Sequence, residues 1–263
     1  SIICLNDCWT LLGWVNHILN FSKEYPDFED IYIIHFDSHH DLRSPLIGLN
    51  SKGNMINLVT SHKFNPFSFW DIFTSILSGC IGIGSFIVPL TFFFKKVHIL
   101  HVNQFNKETI IKNPFYYQFK TDSFFEKGIQ RLTLTSDLEK APDYTCLYYS
   151  SNCLDNLINY IPSQANVYLH IDMDFFNNKF DGSGEKNRNP NYDISYSEQI
   201  NMINQLKKSL NITKIIQNTK HTSIALSPGF YPSIYWESVT NYLKSSLAEI
   251  GININPSYQF PVI

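Results

Sequence analysis

Five short, largely apolar runs without polar alternation punctuate the chain, at residues 2–5, 31–36, 97–102, 167–171 and 223–226. A strand covered on both faces has no polar side, so such runs predict the strands of a parallel sheet. Between them, apolar residues return at intervals of three and four, the period of a helix with one buried side. Trp9, Leu12, Val15 and Leu19 make one such stripe leading into Phe21, and Phe69, Ile72 and Ile76 make a second that ends near Gly79. Ile200, Ile203, Leu206 and Leu210 make a third, and Tyr235, Val239, Leu243 and Leu247 a fourth that stops before Gly251. Asp7 and Ser195 stand where N-caps belong. Strands alternating with helices predict right-handed βαβ units, hence an α/β fold with a mostly parallel sheet between two helical layers.

The region 105–149 is less regular. Its aromatic runs and the alternating Arg131-Leu132-Thr133-Leu134-Thr135 suggest extra strands or a packed excursion. Residues 177–193 are too rich in Gly and Asn for regular structure. No repeat and no long linker is visible, so residues 1–263 read as a single domain.

Composition narrows the function classes. With 44% hydrophobic and 16% charged residues the chain can build a sizeable core, which excludes a disordered protein. A net charge of −3 without a basic stripe gives no footprint for nucleic acid. The five cysteines are odd in number and form no CxxC, so reduced thiols are expected. The first residues lack the basic and apolar regions of a signal peptide. The longest apolar run, 81–94, is interrupted by Pro89 and stopped by Lys95 and Lys96, short of the roughly 20 residues a membrane span needs. The expectation is a soluble cytoplasmic protein with neither nucleic acid nor membrane as partner.

The chemistry concentrates at two strand ends. In Ile33-Ile34-His35-Phe36-Asp37-Ser38-His39-His40-Asp41, an apolar run leads into Asp37, His39 and Asp41, which extended chain would project to one side. In Val167-Tyr168-Leu169-His170-Ile171-Asp172-Met173-Asp174, another apolar run ends in two carboxylates. Carboxyl ends of parallel strands are where open α/β sheets build their sites. A single Asp there is usually a cap, and a lone His in a strand, such as His35 or His170, is usually a satisfied core residue. Two such motifs together are a different matter, because four buried aspartates repel one another unless a cation lies between them. Carboxylates with one imidazole suit Mn²⁺ better than a thiolate site would.

At these residues the chain resembles the ureohydrolase superfamily of arginase-like and deacetylase-like enzymes, whose D-x-H-x-D and D-x-D motifs match Asp37-Ser38-His39-His40-Asp41 and Asp172-Met173-Asp174. The phrases HFDSHHDL, IGSFIVP and HIDMDFF further resemble an atypical branch, the UPF0489 proteins, whose bacterial members include peptide arginases. The likeness spans residue 2 to about residue 242. It implies the three-layer arginase/deacetylase-like fold, and an arginine-containing, ribosomally made peptide as substrate, its arginine converted to ornithine with release of urea. It also implies two Mn²⁺ ions bridged by Asp37 and Asp172, with Asp41 on one and His39 and Asp174 on the other. Asp41 would in addition accept a hydrogen bond from the attacking hydroxide.

The chain departs from the arginase pattern twice. Where arginases carry a histidine after their first strand, this chain has Cys8. It is either a thiolate ligand, a reason for only one Mn²⁺ to be held, or simply a small buried residue at a helix start. The turn at 227–232 lacks the glutamate that holds a guanidinium; Glu237 on the next helix is one substitute, and Asp181 or Glu185 on the polar loop are others. A proton shuttle for the departing amine is expected among His40, His62 and His101, with His101 best placed at a strand end. Trp70, Trp236 and the tyrosines read as core. The polar stretch 177–193 reads either as a rim that admits a peptide or as a plain surface insertion. Two other functions remain on the sequence. One is a zinc-dependent amide deacylase on Asp37, His39 and Asp172, and the other a non-catalytic metal-binding protein. Oligomeric state is not legible.

Overall fold

The computed structural model describes residues 1–21, 30–104, 111–122, 124–125, 128–135, 145–180, 193–212 and 215–254. Strands β1 (Ile2–Cys4), β2 (Asp30–Phe36), β3 (Ile47–Leu49), β4 (Met55–Asn57), β5 (Lys96–Val102), β6 (Ile111–Thr121), β7 (Gln130–Thr135), β8 (Cys146–Ser151), β9 (Val167–Asp172) and β10 (Thr219–Ala225) form one sheet ordered β1-β10-β9-β2-β5-β8-β6-β7-β3-β4. Every pairing from β1 to β8 in that order is parallel. The remainder is antiparallel. All five expected strands are present, flanked by helices, and the class is α/β.

Strand pleating sorts alternate side chains into two cores, which is why unalternating runs were needed. From β2, Ile31 and Ile33 join the helices α1 (Cys8–Phe21) and α2 (Phe69–Leu77) through Leu11, Leu12, Trp14, Val15, Ile72 and Ile76. Tyr32, Ile34 and Phe36 join α3 (Tyr196–Ile212) and α4 (Trp236–Glu249) through Ile203, Leu206, Val239, Leu243 and Leu247. Each fully buried Leu or Ile contributes about 1.5–3 kcal/mol by leaving water. The sheet is thus the middle of three layers. Ser195 does cap α3, since its hydroxyl accepts from the Glu198 amide at 3.4 Å while the Glu198 carboxylate accepts the Ser195 amide at 3.0 Å.

The apolar run 81–94 folds into turns and a short helix, and Ile81, Phe86, Ile87, Val88, Leu90 and Phe94 enter the α1/α2 core. No helix among the described residues is long and apolar enough to cross a membrane. In the irregular middle, β6 and β7 form the expected extra strands, and β8 continues the parallel sheet. Arg131 on β7 donates to the carbonyls of Ser44 and Pro45, tying down the chain that leaves the second strand. One expectation about packing is corrected: Trp70 is 68% exposed, because it lies on the solvent side of α2. Trp236 is half-buried against the α3/α4 core.

Candidate metal centre

Asp37, Ser38 and His39 leave β2 in a bend, so the expected extended run through Asp41 does not exist. The three ligand-type residues meet because the chain turns. Asp41 sits at φ 53°, a left-handed conformation that Asp tolerates better than most residues. Similarly, Asp172 ends β9 and Met173–Phe175 forms one helical turn, with the Asp172 carboxylate accepting the Asp174 amide at 2.8 Å. The two segments are stitched together. The Ser38 amide donates to Asp174 Oδ1 at 3.2 Å, its hydroxyl donates to the Asp174 carbonyl at 3.1 Å, and its carbonyl accepts Asn103 Nδ2 at 2.8 Å.

The aspartates therefore converge. Ligand atoms of Asp37, His39 and Asp174 lie within 4.8 Å of one another, and so do those of Asp7, Asp37 and Asp41. His39 Nδ1 stands 3.0 Å from Asp174 Oδ2 and 3.4 Å from Asp37 Oδ1. Four buried carboxylate oxygens (Asp7 Oδ1, Asp37 Oδ2, Asp41 Oδ2 and Asp174 Oδ2) have no hydrogen-bond partner among the described residues. Burying a carboxylate oxygen without a donor costs several kcal/mol, more so beside like charges. Desolvation first, and the neighbouring aspartates next, push the Asp37 carboxyl well above the usual carboxylate range. The same causes act on Asp41, with Asp7 the strongest of the neighbouring aspartates, and on Asp172, with Asp174. These residues can hold a cation, and the orphaned oxygens fit one.

Asp7 was the residue that sequence reasoning missed. Read as a helix cap, it instead turns its buried side chain to the cluster, with Oδ1 3.3 Å from His170 Nε2. It supplies the contribution from the end of the first strand that had been sought at Cys8. Cys8 joins none of the ligand groups among the described residues and packs in the α1/α2 core. Burial, with Asp7 adding to it, pushes its thiol up to about 12. Asp172 joins none of the ligand groups among the described residues; its Oδ2 accepts the Ser227 hydroxyl and its Oδ1 the Asp174 amide.

A second feature lies beneath the aspartates. His35 and His170 occupy paired positions on β2 and β9, and their Nδ1 atoms are 2.9 Å apart. His35 Nε2 faces the His39 carbonyl at 3.1 Å and Asp37 Oδ2 at 3.3 Å. A ring nitrogen facing a carbonyl must carry the proton. His35 Nδ1 is then the acceptor and His170 Nδ1 the donor, with His170 Nε2 3.3 Å from Asp7 Oδ1. Burial, then the neighbouring His170, hold His35 well below its ordinary pKa, so it is neutral. Trp14 and Phe86 close this pair from below, at 6.0 and 5.2 Å from the His170 ring.

None of the other expected site residues joins a ligand group among the described residues. His101 has both ring nitrogens engaged, Nε2 with the Asp37 carbonyl at 2.9 Å and Nδ1 with the Tyr148 hydroxyl at 2.6 Å. Burial lowers its pKa to about 3, so the proton-shuttle reading is replaced by a structural one: it holds the Asp37 backbone. His40 and His62 are exposed, the former accepting the Leu42 amide at 3.1 Å. Glu237 is exposed in the first turn of α4 and belongs to none of the ligand groups. Asp181, Glu185 and most of the polar stretch, residues 181–192, lie outside the described residues. The centre is open at one point, where the His39 side chain keeps 30% of its surface exposed and the Phe230 ring packs 4.9 Å from it. No protein-family model matches the chain, and no curated protein matches it closely enough to count as a relative.

Proposed function

We propose that the chain is a Mn²⁺-dependent hydrolase that cleaves the guanidino group of arginine in a peptide to ornithine and urea. The observation that carries this reading is the set of four orphaned, buried carboxylate oxygens at the carboxyl ends of parallel strands, with the partly exposed His39 beside them. Three overlapping ligand groups share Asp37 and two of them are oxygen-rich, so two cation positions are available, Asp7 and Asp41 on one side and His39 and Asp174 on the other. Oxygen donors with a single imidazole suit Mn²⁺, and Cys8, the soft candidate, lies outside both groups. When bound, the cations supply Lewis-acid charge and make hydroxide available near neutral pH.

The chain's own residues do the rest. Asp41, held in its left-handed turn, would help to hold a cation and would accept a hydrogen bond from an attacking hydroxide. Ser227 and Asp172 keep the Asp174 turn rigid, and His101 keeps Asp37 in place. Phe230 offers a ring face beside His39, the kind of surface on which a planar guanidinium stacks. Hydrolysis adds one water and removes one urea, so the modified peptide loses the mass of a CH₂N₂ unit. Incubating arginine-containing peptides with the Mn²⁺-loaded protein should produce that loss together with free urea. The Asp7→Asn variant, which keeps the shape and removes one charge, should slow it by at least about 100-fold. Loss of an acyl group from acylated lysine peptides, with Zn²⁺ and without urea, would favour the deacylase alternative. That reading draws on the nitrogen-rich group His35, Asp37 and His170.

A further inference from the structure

On the other side of the sheet from the aspartates, a cavity of about 230 Å³ opens between the carboxyl ends of β2, β5 and β8 and helix α3. Phe36, Val102, Leu154, Phe175 and Leu206 form its apolar walls, while Gln104, Asn152 and Gln205 supply polar edges. It is continuous in sequence with the metal centre, since Phe36 directly precedes Asp37 and Phe175 directly follows Asp174. Phe36 and Phe175 meet edge to face at 5.5 Å, so any movement of a ligand here bears on the two segments that carry the aspartates. Among the described residues that line the cavity, none is charged. One polar atom of the lining residues lacks a partner among the described residues, Nε2 of Gln104, whose side chain is half-buried.

These features select an occupant. The absence of charge among the described lining residues favours a neutral group over an ion, which would have to shed its water without compensation. The volume exceeds the roughly 150 Å³ that accommodates benzene in a dry apolar cavity. Rings meeting at Phe36 and Phe175 and the thioether of Met202 favour an aromatic guest. The unpaired Gln104 amide asks for a carbonyl acceptor.

We propose that this cavity is a recognition subsite for a neutral aromatic residue of a peptide, its ring against Phe36 and Phe175 and its carbonyl on Gln104 Nε2. The peptide wraps the carboxyl edge of the sheet, with its modified residue at the metal centre on the opposite face. The word peptide rests on the functional reading given above. Occupancy of the cavity does not, and it has its own reporter.

Cys153 lines the cavity and is the one cysteine that is not buried. Burial pushes the thiols of Cys8, Cys80 and Cys146 up to about 12 and raises that of Cys4 well above its ordinary value, so Cys153 is the residue that iodoacetamide should alkylate in the folded protein. The probe is N-acetyl-phenylalaninamide, a neutral aromatic with amide carbonyls, and a ligand of this size binds in about the millimolar range. With the Mn²⁺-loaded protein, the probe should slow Cys153 alkylation by about tenfold at ten times its Kd. N-acetyl-lysinamide should give no protection. Met202→Trp, which fills the cavity from a half-buried position, should abolish the effect, and Gln104→Leu should weaken it while leaving the fold intact. Unchanged alkylation up to the solubility limit of the probe would overturn the subsite, even if urea is released. Protection without urea release from any arginine peptide would leave the subsite standing and remove the arginine reading.

Discussion

Replacing Asp37 by Asn is expected to have opposite effects on the loaded and metal-free protein. Asp37 is the ligand shared by both oxygen-rich groups, so its loss should weaken Mn²⁺ binding by more than about 100-fold, the upper end of what even an outer partner contributes. Urea release should disappear with it. Yet the same substitution removes a fully buried charge from a cluster whose members repel one another. Asn also keeps the shape and adds a donor for a neighbouring carboxylate. The metal-free variant should therefore melt at a higher temperature than the metal-free wild type, and only the wild type should gain further on adding Mn²⁺. Thermal unfolding of both proteins with EDTA and with Mn²⁺ reads all of this. A structural role for Asp37 without a cation gives the contrary pattern, a variant less stable than the wild type in EDTA.

The second large effect is on pH. Asp37, Asp41 and Asp172 have folded-state pKa values raised above their unfolded values of about 4. Below pH of about 4 these groups are protonated in both states and carry no penalty. As pH rises past that value the unfolded chain releases protons that the folded, metal-free protein still holds, so stability falls until the raised values are passed. Every tenfold difference in proton affinity between the folded and unfolded states is worth about 1.4 kcal/mol. The buried histidines act in the other direction. Burial depresses His17 to about 4 and His101 to about 3, and it also lowers His35 and His221, so their contribution is lost as pH falls below their unfolded value of about 6.5. The carboxylate effect is isolated by the difference between metal-loaded and metal-free protein, because the cation binds the ionised form. The rise in melting temperature caused by Mn²⁺ should grow steadily between about pH 4 and neutrality. A rise independent of pH would mean that no proton leaves when the cation binds.

How far the sequence led depends on which features are local. The five buried strands and four helices were legible because an unalternating run or a stripe at helical spacing is written in consecutive residues. Strand β8 escaped because Cys146–Ser151 carries two tyrosines and ends in two serines, a composition that does not stand out from its surroundings. Strands β3 and β4, at three residues each, are too short for any period to register. The convergence of the Asp37 and Asp172 segments was anticipated, although for a geometric reason that fails: the chain bends rather than extends beyond β2.

Asp7 was missed because an aspartate between a strand and a helix has an ordinary explanation as a cap, and only tertiary structure reveals that its carboxylate is buried and turned away. A signal for the histidine pair did exist. His35-Phe36-Asp37 and His170-Ile171-Asp172 repeat the same spacing, and two parallel strands in matched register bring such residues face to face. The misplacement of His101 as a proton shuttle has a similar origin. Its place at a strand end was right, while its partners, the Asp37 carbonyl and the Tyr148 hydroxyl, come from neighbouring strands that sequence does not show.

The most direct measurement is anomalous X-ray diffraction at the manganese edge from crystals soaked in Mn²⁺. The account expects density between Asp37 and its neighbours, on the Asp7–Asp41 side, the His39–Asp174 side, or both. Crystals that take up no Mn²⁺ there, or that bind it only at distant surface carboxylates, would contradict it.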